Sequence, residues 1–429
     1  MSALEVERAR PSLVPSIPAA PPPRQGTGKF FGSERAFFGL LARGAVFLML
    51  TLGIYRFWLT TDVRRFLWGN TEIAGDGLEY TGTARELLIG FLMAIVFLLP
   101  INGLIFIGTL APTLLPYSGT LGFVLLALLG QFAFFRARRY RLTRTVYRGV
   151  RFHQTGSAVR YSVRANLWMV LIGLTAGLAY PWAAASLERY KMRHTHFGDL
   201  SGQFVGSGTS LFLRGFLLWL IVIGPPAAGV FQALASINWP AVVTALESGS
   251  WAQLVDASAE FAGALAVLVG GLTWALLAAV LLYPLFRAIV LRWWLSGLRV
   301  GAVAMTSRLR TGQIYAVYAR FLWYALLFLI AVSIVGSAGV AIFAAASKSI
   351  AAPAATEIAA VVLGLAGYVV VMLGYSTLYQ ATVSIRLWRL SFETTALAGL
   401  EALDSVQARG ERSGPFGEGL ADALDVGGM

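Results

Sequence analysis

The sequence contains no cysteine among its 429 residues and only three histidines. Without cysteine the chain has no disulfide bonds, thiolate nucleophiles or cysteine-ligated metals. Two of the histidines, His194 and His196, form a close pair with Asp199 nearby. Because a metal site normally requires three or four converging ligands, we interpret them as surface or interfacial histidines rather than metal ligands.

Charged residues are scarce as well. They make up 13% of the chain, against roughly a quarter in a typical soluble domain, and 57% of the residues are hydrophobic. Several apolar runs reach the approximately 20 residues that a helix needs to span a bilayer. This composition indicates a polytopic membrane protein whose main partner is the lipid bilayer.

The charge that is present is mostly positive, with a formal net charge of +13. The basic residues cluster beside apolar runs, where the positive-inside rule and attraction to anionic phospholipid headgroups both account for them. The pattern therefore favours contact with anionic headgroups and argues against nucleic acid as a partner.

Eight apolar runs are long enough to enter a membrane. They cover residues 37–58, 87–111, 118–135, 165–182, 211–232, 261–286, 321–346 and 358–385. The connections between them differ in charge: residues 136–164 contain nine arginines and no acid, whereas residues 112–117 carry no charge.

If all eight runs crossed the membrane, one strongly basic connection would lie outside for either orientation of the chain. If 37–58 and 165–182 instead begin and end on the same side, every basic connection falls in the cytoplasm, as the positive-inside rule requires. We therefore expect about six transmembrane helices, two re-entrant or interfacial helical segments, and both termini in the cytoplasm.

The two exceptional segments are also related to each other. "TLGIYRFWLTTDVRRFLWGNT" (51–71) aligns without gaps with "TAGLAYPWAAASLERYKMRHT" (175–195). The identical pairs are Thr51 and Thr175, Gly53 and Gly177, Trp58 and Trp182, Arg65 and Arg189, and Thr71 and Thr195. The alignment predicts an internal repeat, a common feature of membrane folds.

A shorter signature consists of Arg, five residues, Thr, and Gly three or four residues later. Its copies are Arg65–Thr71–Gly75, Arg139–Thr145–Gly149, Arg189–Thr195–Gly198, Arg389–Thr395–Gly399 and the degenerate Arg292–Leu298–Gly301. An aromatic residue follows the arginine at Phe66, Tyr140 and Tyr190. Such residues are typical of a helix that leaves the membrane at headgroup level.

Two interpretations of this signature stay open. The favoured one is an interface anchor repeated for structural reasons. The alternative is a site that faces lipid or ligand, and its candidate residues are Arg65, Phe66, Thr71, Gly75, Arg139, Arg189, Tyr190 and Thr195.

Glycine-rich stretches follow the signature at 70–83 and 195–208 and predict short β-hairpins on the cytoplasmic face. The expected fold class is thus an all-α polytopic membrane protein with small cytoplasmic β-hairpins and an internal repeat. The expected organisation is a disordered tail (1–27), membrane repeats at 28–140 and 141–297, a third degenerate unit at 298–402, and a disordered cytoplasmic tail (403–429).

The segments "FFGSERAFFGLL", "TLGIYRFW" and "GNTEIAGDGLEYTGTARELLIGF" resemble the YjgN-like family of bacterial inner-membrane proteins, which is defined by a domain of unknown function. The similarity is strongest over 30–110, recurs at 150–235 and extends to about 400. The second copy departs from the first, since "AGLAYPW" replaces "LGIYRFW" and His194 stands at the position of Asn70. The resemblance implies a multi-pass protein of the bacterial cytoplasmic membrane and brings no catalytic residues.

No motif for nucleotide, metal or acyl-transfer chemistry occurs in the chain, so we expect no cofactor and no enzyme activity. Two functions remain. The first, which we favour from the sequence, is a small-solute transporter or channel-like protein in which the re-entrant segments line the path. The second is a non-transporting membrane protein that binds lipid or recruits a partner. Small-residue faces such as 336–346 are equally compatible with close helix packing and with a homo-oligomer.

Overall fold

The computed structural model describes residues 24–110, 115–236, 238–249, 261–347, 353–409 and Asp422. Most of the two predicted tails lies outside these residues. The first strand, β1 (Gln25–Phe30), already begins within the predicted N-terminal tail.

The described residues form five copies of one unit. Each unit consists of a strand, a helix that runs away from the strands, a helix that runs back to them, and a further strand. The first helices are α1 (Glu34–Leu50), α2 (Arg56–Gly69), α3 (Ala84–Leu110), α4 (Leu115–Thr143), α5 (Ala158–Leu174) and α6 (Tyr180–Arg193). The later helices are α7 (Gly208–Ser236), α8 (Trp239–Ser248), α9 (Phe261–Gly297), α10 (Thr311–Ser347), α11 (Pro353–Tyr379) and α12 (Ile385–Glu393). A π-helical turn, Gln380–Ser384, joins α11 to α12.

The strands connect these helix pairs. They are β1, β2 (Thr71–Ile73), β3 (Asp76–Tyr80), β4 (Thr145–Tyr147), β5 (Val150–Gln154), β6 (Thr195–Phe197), β7 (Leu200–Phe204), β8 (Leu298–Val300), β9 (Val303–Ser307) and β10 (Thr395–Ala398). All the neighbouring pairs are antiparallel, and the described strands close into a single barrel. The first and last strands complete the circle, since Gln25 pairs with Ala398.

The barrel corrects the expected fold class: the prediction of an all-α protein with separate small cytoplasmic hairpins is wrong. The hairpins form locally, but each pairs at both edges with its neighbours, as β3 does with β4 and β5 with β6. Strand edges carry unpaired N–H and C=O groups, and closure of the barrel pairs them. Strands of different hairpins are tens of residues apart in the chain, so their pairing has no local sequence signal. The sequence therefore predicts the hairpins but not the barrel.

Residues 37–58 and 165–182 each belong to a short helical hairpin. Helix α1 begins at the N-cap Ser33, whose side chain accepts a hydrogen bond from the Ala36 amide at 3.2 Å. It ends with Leu52 in the left-handed region and a hydrogen bond from the Gly53 amide to the Leu48 carbonyl at 2.8 Å. This arrangement is a Schellman C-cap, which stops a helix and turns the chain.

Helix α5 ends in the same way, with Ala176 at positive φ and the Gly177 amide bonded to the Ile172 carbonyl at 2.7 Å. Both hairpins return to the barrel they left: Phe30 before α1 pairs with Thr71 after α2, and Gln154 before α5 pairs with Thr195 after α6. A helix of 17 residues is about 25 Å long, shorter than a typical span.

Six of the described helical segments are long and apolar enough to cross a membrane. They are Ala84–Gly108, Ser118–Thr143, Gly208–Ser236, Leu265–Gly297, Thr311–Ser347 and Thr356–Glu393. Their number agrees with the six crossings expected from the charge pattern. A membrane-spanning strand needs about nine to eleven residues, so the three- to six-residue strands of this barrel are too short to cross.

The interior of the barrel is filled with side chains. Leu78, Tyr147 and Phe197 form its core, and Phe152 packs against them. Leu403, in the 3₁₀ helix Leu400–Leu403, joins the same cluster and brings the chain after β10 against the barrel. The lumen is therefore occupied by protein at this level.

The expected repeats can be placed on this fold. Residues 28–140 and 141–297 each contain two helix pairs, and 298–402 contain the fifth pair. The contacts between consecutive pairs, together with those between α1 and α11, close the helices into a ring above the barrel.

Candidate functional site

Each signature arginine lies in a helix that returns to the barrel, and four of the five donate to the backbone carbonyl of a glycine in a linker. Nη2 of Arg65 donates to the Gly82 carbonyl at 3.0 Å, Arg139 to Gly156 at 2.5 Å, and Arg189 to Gly206 at 3.1 Å. Arg389 makes the equivalent bond to Gly32 at 2.7 Å, which links the last unit to the first. In these four copies the arginine thus links the helix that returns to the barrel with the linker that precedes the next helix pair.

The accepting glycines are structural positions that the sequence analysis missed. A Cβ atom at Gly82 would lie 2.5 Å from the Tyr80 side chain, and one at Gly206 would lie 2.5 Å from the Phe204 ring. Glycine therefore allows the linker to fold over the aromatic ring that precedes it by two residues. The constant spacing of 17 residues from arginine to glycine in three copies is a signal that could have found them.

The signature threonines open the strands that follow the returning helices. Thr71, Thr145 and Thr195 are buried, and each hydroxyl donates to the carbonyl four residues earlier. The neighbouring unit then donates to the same hydroxyl: Trp388 to Thr71 at 2.9 Å and Trp68 to Thr145 at 3.0 Å. These contacts link adjacent units around the ring.

The other candidate residues also contact protein. Phe66 packs on Phe37 with ring centroids 5.2 Å apart. The Tyr190 hydroxyl donates to the Ser157 carbonyl at 2.8 Å. Gly75 forms the β2–β3 turn at φ +95°. The contacts named above are all with other parts of the protein. Binding of lipid headgroups by the eight candidate residues stays a prediction.

The degenerate copy of the signature differs in its contact. Arg292 donates to the Thr311 hydroxyl at 3.2 Å, and no glycine carbonyl takes that position, because residues 308–310 of this linker are Arg-Leu-Arg. This unit therefore lacks both the signature threonine, which is replaced by Leu298, and the linker glycine.

A buried cluster of charge lies where α2, α4 and α6 meet the barrel. Arg64 is 1% exposed, binds both carboxylate oxygens of Asp422, and donates to the Tyr80 hydroxyl at 3.1 Å. Arg141 lies 3.7 Å from the same carboxylate. None of these groups was singled out from the sequence, because Arg64 and Asp422 come together only in the folded chain.

The cluster continues toward α6. Arg138 donates to the Gln154 side-chain carbonyl at 2.7 Å and to the Thr195 hydroxyl at 2.8 Å. Lys191 forms an ion pair with Glu188 one helical turn earlier. Among the described residues, four cations thus share this interior with the carboxylates of Asp422 and Glu188.

Burial and pairing shift the pKa values of the cluster in different directions. Burial lowers the pKa of Lys191, although Glu188 opposes this shift. Burial also disfavours the charged form of Arg64, but Asp422 and Tyr80 outweigh it and raise the pKa of Arg64. Arg64 is therefore held charged by its partners.

A shallow surface groove of about 620 Å³ lies along one face of α5, and every residue that lines it belongs to this helix. Arg160 and Arg164 lie at the end near the barrel, followed by Trp168 and Leu171 along the helix. Residues four apart share one face of a helix, so the two guanidinium groups and the apolar residues form one continuous stripe. Arg164 also lies over the Tyr190 ring at 5.5 Å.

The three histidines come together between β5 and β6. The rings of His153 and His196 stack with centroids 4.9 Å apart, and the Thr155 hydroxyl lies 3.3 Å from Nδ1 of His194 and 3.2 Å from Nε2 of His196. Burial lowers the pKa of each histidine. No cluster of three or more His, Asp or Glu side chains suited to a metal occurs among the described residues.

Comparison with protein families gives one match, which extends over residues 25–423. Its description is "Bacterial protein of unknown function (DUF898)". The chain belongs to this family. The match confirms the suspected resemblance and covers both the barrel and the helix ring. No curated protein and no solved structure matches the chain.

Proposed function

We propose that this DUF898 protein is a non-catalytic integral membrane protein that binds anionic phospholipid headgroups in the groove on α5. The observation that carries this proposal is the order of residues along that face. Two exposed arginines, flanked by the exposed Val159 and Val163, are followed by the apolar residues Leu167, Trp168 and Leu171.

This order matches the layers of a bilayer leaflet. Arginine pairs with phosphate through several N–H donors, tryptophan prefers the headgroup level, and leucine prefers the acyl chains. Leu167 is 68% exposed and Leu174 at the tip of the hairpin is 80% exposed. A phospholipid lying along α5 would cover these apolar side chains and place its phosphate beside Arg160 and Arg164.

The first repeat provides an internal comparison. With Ser33 aligned to Ser157, the positions of Arg160, Arg164 and Trp168 correspond to Ala36, Leu40 and Gly44 on α1. The two helices share their N-cap and C-cap geometry. The basic groove is therefore a feature of α5 and is not required by the hairpin fold.

The filled barrel favours lipid binding over the transport of a small solute. A solute that followed the axis of the ring would meet Leu78, Tyr147 and Phe197 inside the barrel. Coupled carriers also place charged groups at mid-membrane, and the segment Leu265–Gly297 contains no Asp, Glu, Lys, Arg or His before Arg287. Transport stays a prediction, and no specific contact among the described residues favours it.

We further propose that the barrel and both ends of the chain face the cytoplasm of a bacterial inner membrane. The nine arginines of 136–164 lie in the barrel-side ends of α4 and α5 and in the segment 144–154 with the β4–β5 hairpin, whereas the connection between α7 and α9 carries Glu247 in α8. The positive-inside rule assigns the arginine-rich side to the cytoplasm. The hairpins α1–α2 and α5–α6 would then enter the bilayer from that side and return.

Native mass spectrometry of the purified full-length protein tests the headgroup proposal. Phosphatidylglycerol and phosphatidylethanolamine are supplied in equal amounts, and the bound lipids are counted. We expect phosphatidylglycerol to be retained preferentially, and Arg160→Ala with Arg164→Ala to remove that preference.

The matched control is Arg35→Ala with Arg43→Ala, which removes the same charge from α1. Both of these arginines are exposed. If the control lowers phosphatidylglycerol retention as much as the α5 variant does, retention follows net charge and the proposed groove is wrong.

A further inference from the structure

A pocket of about 350 Å³ opens between α2 and the start of α3. Sites for small ligands have volumes of about 300–1,000 Å³, so this space can hold one small polar molecule. Its lining residues are Trp58, Thr61, Asp62 and Arg65 of α2, together with Thr83, Ala84 and Arg85 around the start of α3.

Asp62 and Arg85 carry opposite charges and share this pocket without an ion pair between them. Neither side chain forms a hydrogen bond or an ion pair with another described residue. Arg65 donates one hydrogen bond, from Nη2 to the Gly82 carbonyl at 3.0 Å, and a guanidinium has five N–H donors. The pocket therefore presents one carboxylate and two guanidinium groups whose hydrogen-bonding capacity the described residues leave unused.

The second repeat closes the corresponding space. It retains the tryptophan and the signature arginine, but neutral residues stand at the positions of Asp62 and Arg85. The aligned residues are Trp182, Ser186, Arg189 and Thr209.

The cause of this closure is Gly208 at the start of α7. A Cβ atom at Gly208 would lie 2.9 Å from the Trp182 Cα atom of α6, so only glycine allows this approach. The aligned residue at the start of α3 is Ala84, whose Cβ atom keeps α3 further from α2. The open pocket and the two charges therefore occur together in the first copy, and the hairpin fold requires neither.

At the junction between the last and first units, the equivalent charge has a partner within the protein. Arg386 corresponds to Asp62, since each lies three residues before its signature arginine, and it forms an ion pair with Glu34 at 2.5 Å. Glu34 corresponds to Ala84, since each follows its accepting glycine by two residues. Because Ala84 is uncharged, Asp62 lacks the partner that Arg386 has.

We propose that this pocket binds a group that carries both an ammonium and a phosphate, the chemistry of an ethanolamine phosphate headgroup. The Asp62 carboxylate accepts hydrogen bonds from the ammonium, and Arg65 and Arg85 donate to the phosphate. Trp58 is 38% exposed and lines the same pocket, as suits a tryptophan at headgroup level.

The charges of the pocket favour this zwitterion over a simple anion. An anionic group such as phosphatidylglycerol would pair with the two arginines but would lie beside the Asp62 carboxylate, which repels it. This site is separate from the groove on α5, so either proposal can fail without the other.

Calorimetric titration of the detergent-purified full-length protein tests the assignment of charges. The probes are glycerophosphoethanolamine and glycerophosphoglycerol, which differ in the ammonium. Asp62→Asn should weaken binding of the ethanolamine compound about tenfold or more, because a charge-assisted hydrogen bond is lost, and should not weaken binding of the glycerol compound. Arg85→Gln should also weaken binding of the ethanolamine compound. The loss of preference under Asp62→Asn is a result that misfolding alone does not produce.

Matched controls remove the same charges outside the pocket. Glu79→Gln removes an exposed acid of β3, and Arg35→Gln removes an exposed arginine at the start of α1. Both should leave the affinity for glycerophosphoethanolamine unchanged. The proposal is wrong if the controls act as strongly as the pocket variants, or if Asp62→Asn weakens binding of both probes equally.

Native mass spectrometry with equal amounts of phosphatidylethanolamine and phosphatidylglycerol identifies the source of the bound group. Lower retention of phosphatidylethanolamine by Asp62→Asn assigns the pocket to a lipid headgroup. Unchanged retention, combined with weaker binding of glycerophosphoethanolamine, assigns it to a soluble phosphoethanolamine compound. If Asp62→Asn changes neither quantity, the proposal is overturned.

Discussion

Nη2 of Arg189 donates a hydrogen bond to the carbonyl oxygen of Gly206, 17 residues further along the chain, at 3.1 Å. Arg65 and Gly82 repeat this relationship with the same spacing. Arg389 extends it across the ends of the chain to Gly32. One contact, repeated around the ring, therefore links each of these returning helices to the helix pair that follows.

Arg189→Lys is expected to destabilise the protein. Lysine keeps the charge but lacks the planar fork that reaches the carbonyl, and a hydrogen bond from a charged group contributes about 1.5–3 kcal/mol. The measurement is thermal unfolding in lipid-free detergent, with the exposed Arg193→Lys as control. An unchanged midpoint combined with weaker lipid retention would instead support the headgroup role for this arginine.

Two neighbouring glycines of α9 are expected to respond differently to alanine. A Cβ atom at Gly271 would lie 2.9 Å from the Pro226 Cα atom of α7, whereas one at Gly270 would meet nothing within 4 Å. Gly271→Ala should force the two helices apart, at a cost of about 1–3 kcal/mol. Gly270→Ala should be neutral or slightly stabilising, since alanine favours helix. Thermal unfolding of both variants checks this; equal midpoints would contradict the close packing of α7 on α9.

The histidines should make stability depend on pH. Burial lowers the folded-state pKa of His153, His194 and His196 below the ordinary histidine value of about 6.5, so the unfolded chain binds protons more readily. Their contribution is therefore complete above about pH 6.5 and is lost as pH falls through the lower folded pKa values. The pKa of His194 is also lowered by nearby positive charge, which is carried by Arg139, Arg160 and Arg193.

Unfolding midpoints measured from pH 8 down to pH 5, a window that brackets the ordinary histidine pKa of about 6.5, check this dependence. His196→Gln should flatten the decline at the acidic end, because it removes one of the two stacked rings. A midpoint that rises as the pH falls would show that the sign is wrong.

The absence of cysteine allows the proposed topology to be measured directly. Single cysteines at Thr83, near the barrel, and at Glu247, between α7 and α9, are exposed positions on opposite ends of the helices. With an impermeant thiol reagent, Thr83→Cys should react only from the cytoplasmic side and Glu247→Cys only from outside.

Leu52→Cys tests the short hairpin. Leu52 is 94% exposed at the turn between α1 and α2, so a hairpin that ends within the bilayer should protect it from both sides. Reaction of Leu52→Cys from the outside would show that the tip of this hairpin crosses the membrane.

Several features could be predicted because their signals are local. The six long apolar segments follow from hydropathy, and the return of 37–58 to its starting side follows from the charge of the flanking connections. The structural similarity of the two short hairpins could be predicted from two identical pairs in the aligned segments, Thr51 with Thr175 and Gly53 with Gly177. These residues have the same role in both copies: each threonine accepts a hydrogen bond across the break, and each glycine has positive φ.

The sequence by itself thus determined the apolar helices, the turns and the repeated arginine signature, since each depends on residues close together in the chain. Only the tertiary structure decided that the hairpins close into one barrel and that Arg65, Arg139 and Arg189 contact glycine carbonyls. It also decided that Arg64 meets Asp422. The physical reason is that strand edges and buried charges are satisfied by whichever partner the fold brings near, and that partner lies up to several hundred residues away.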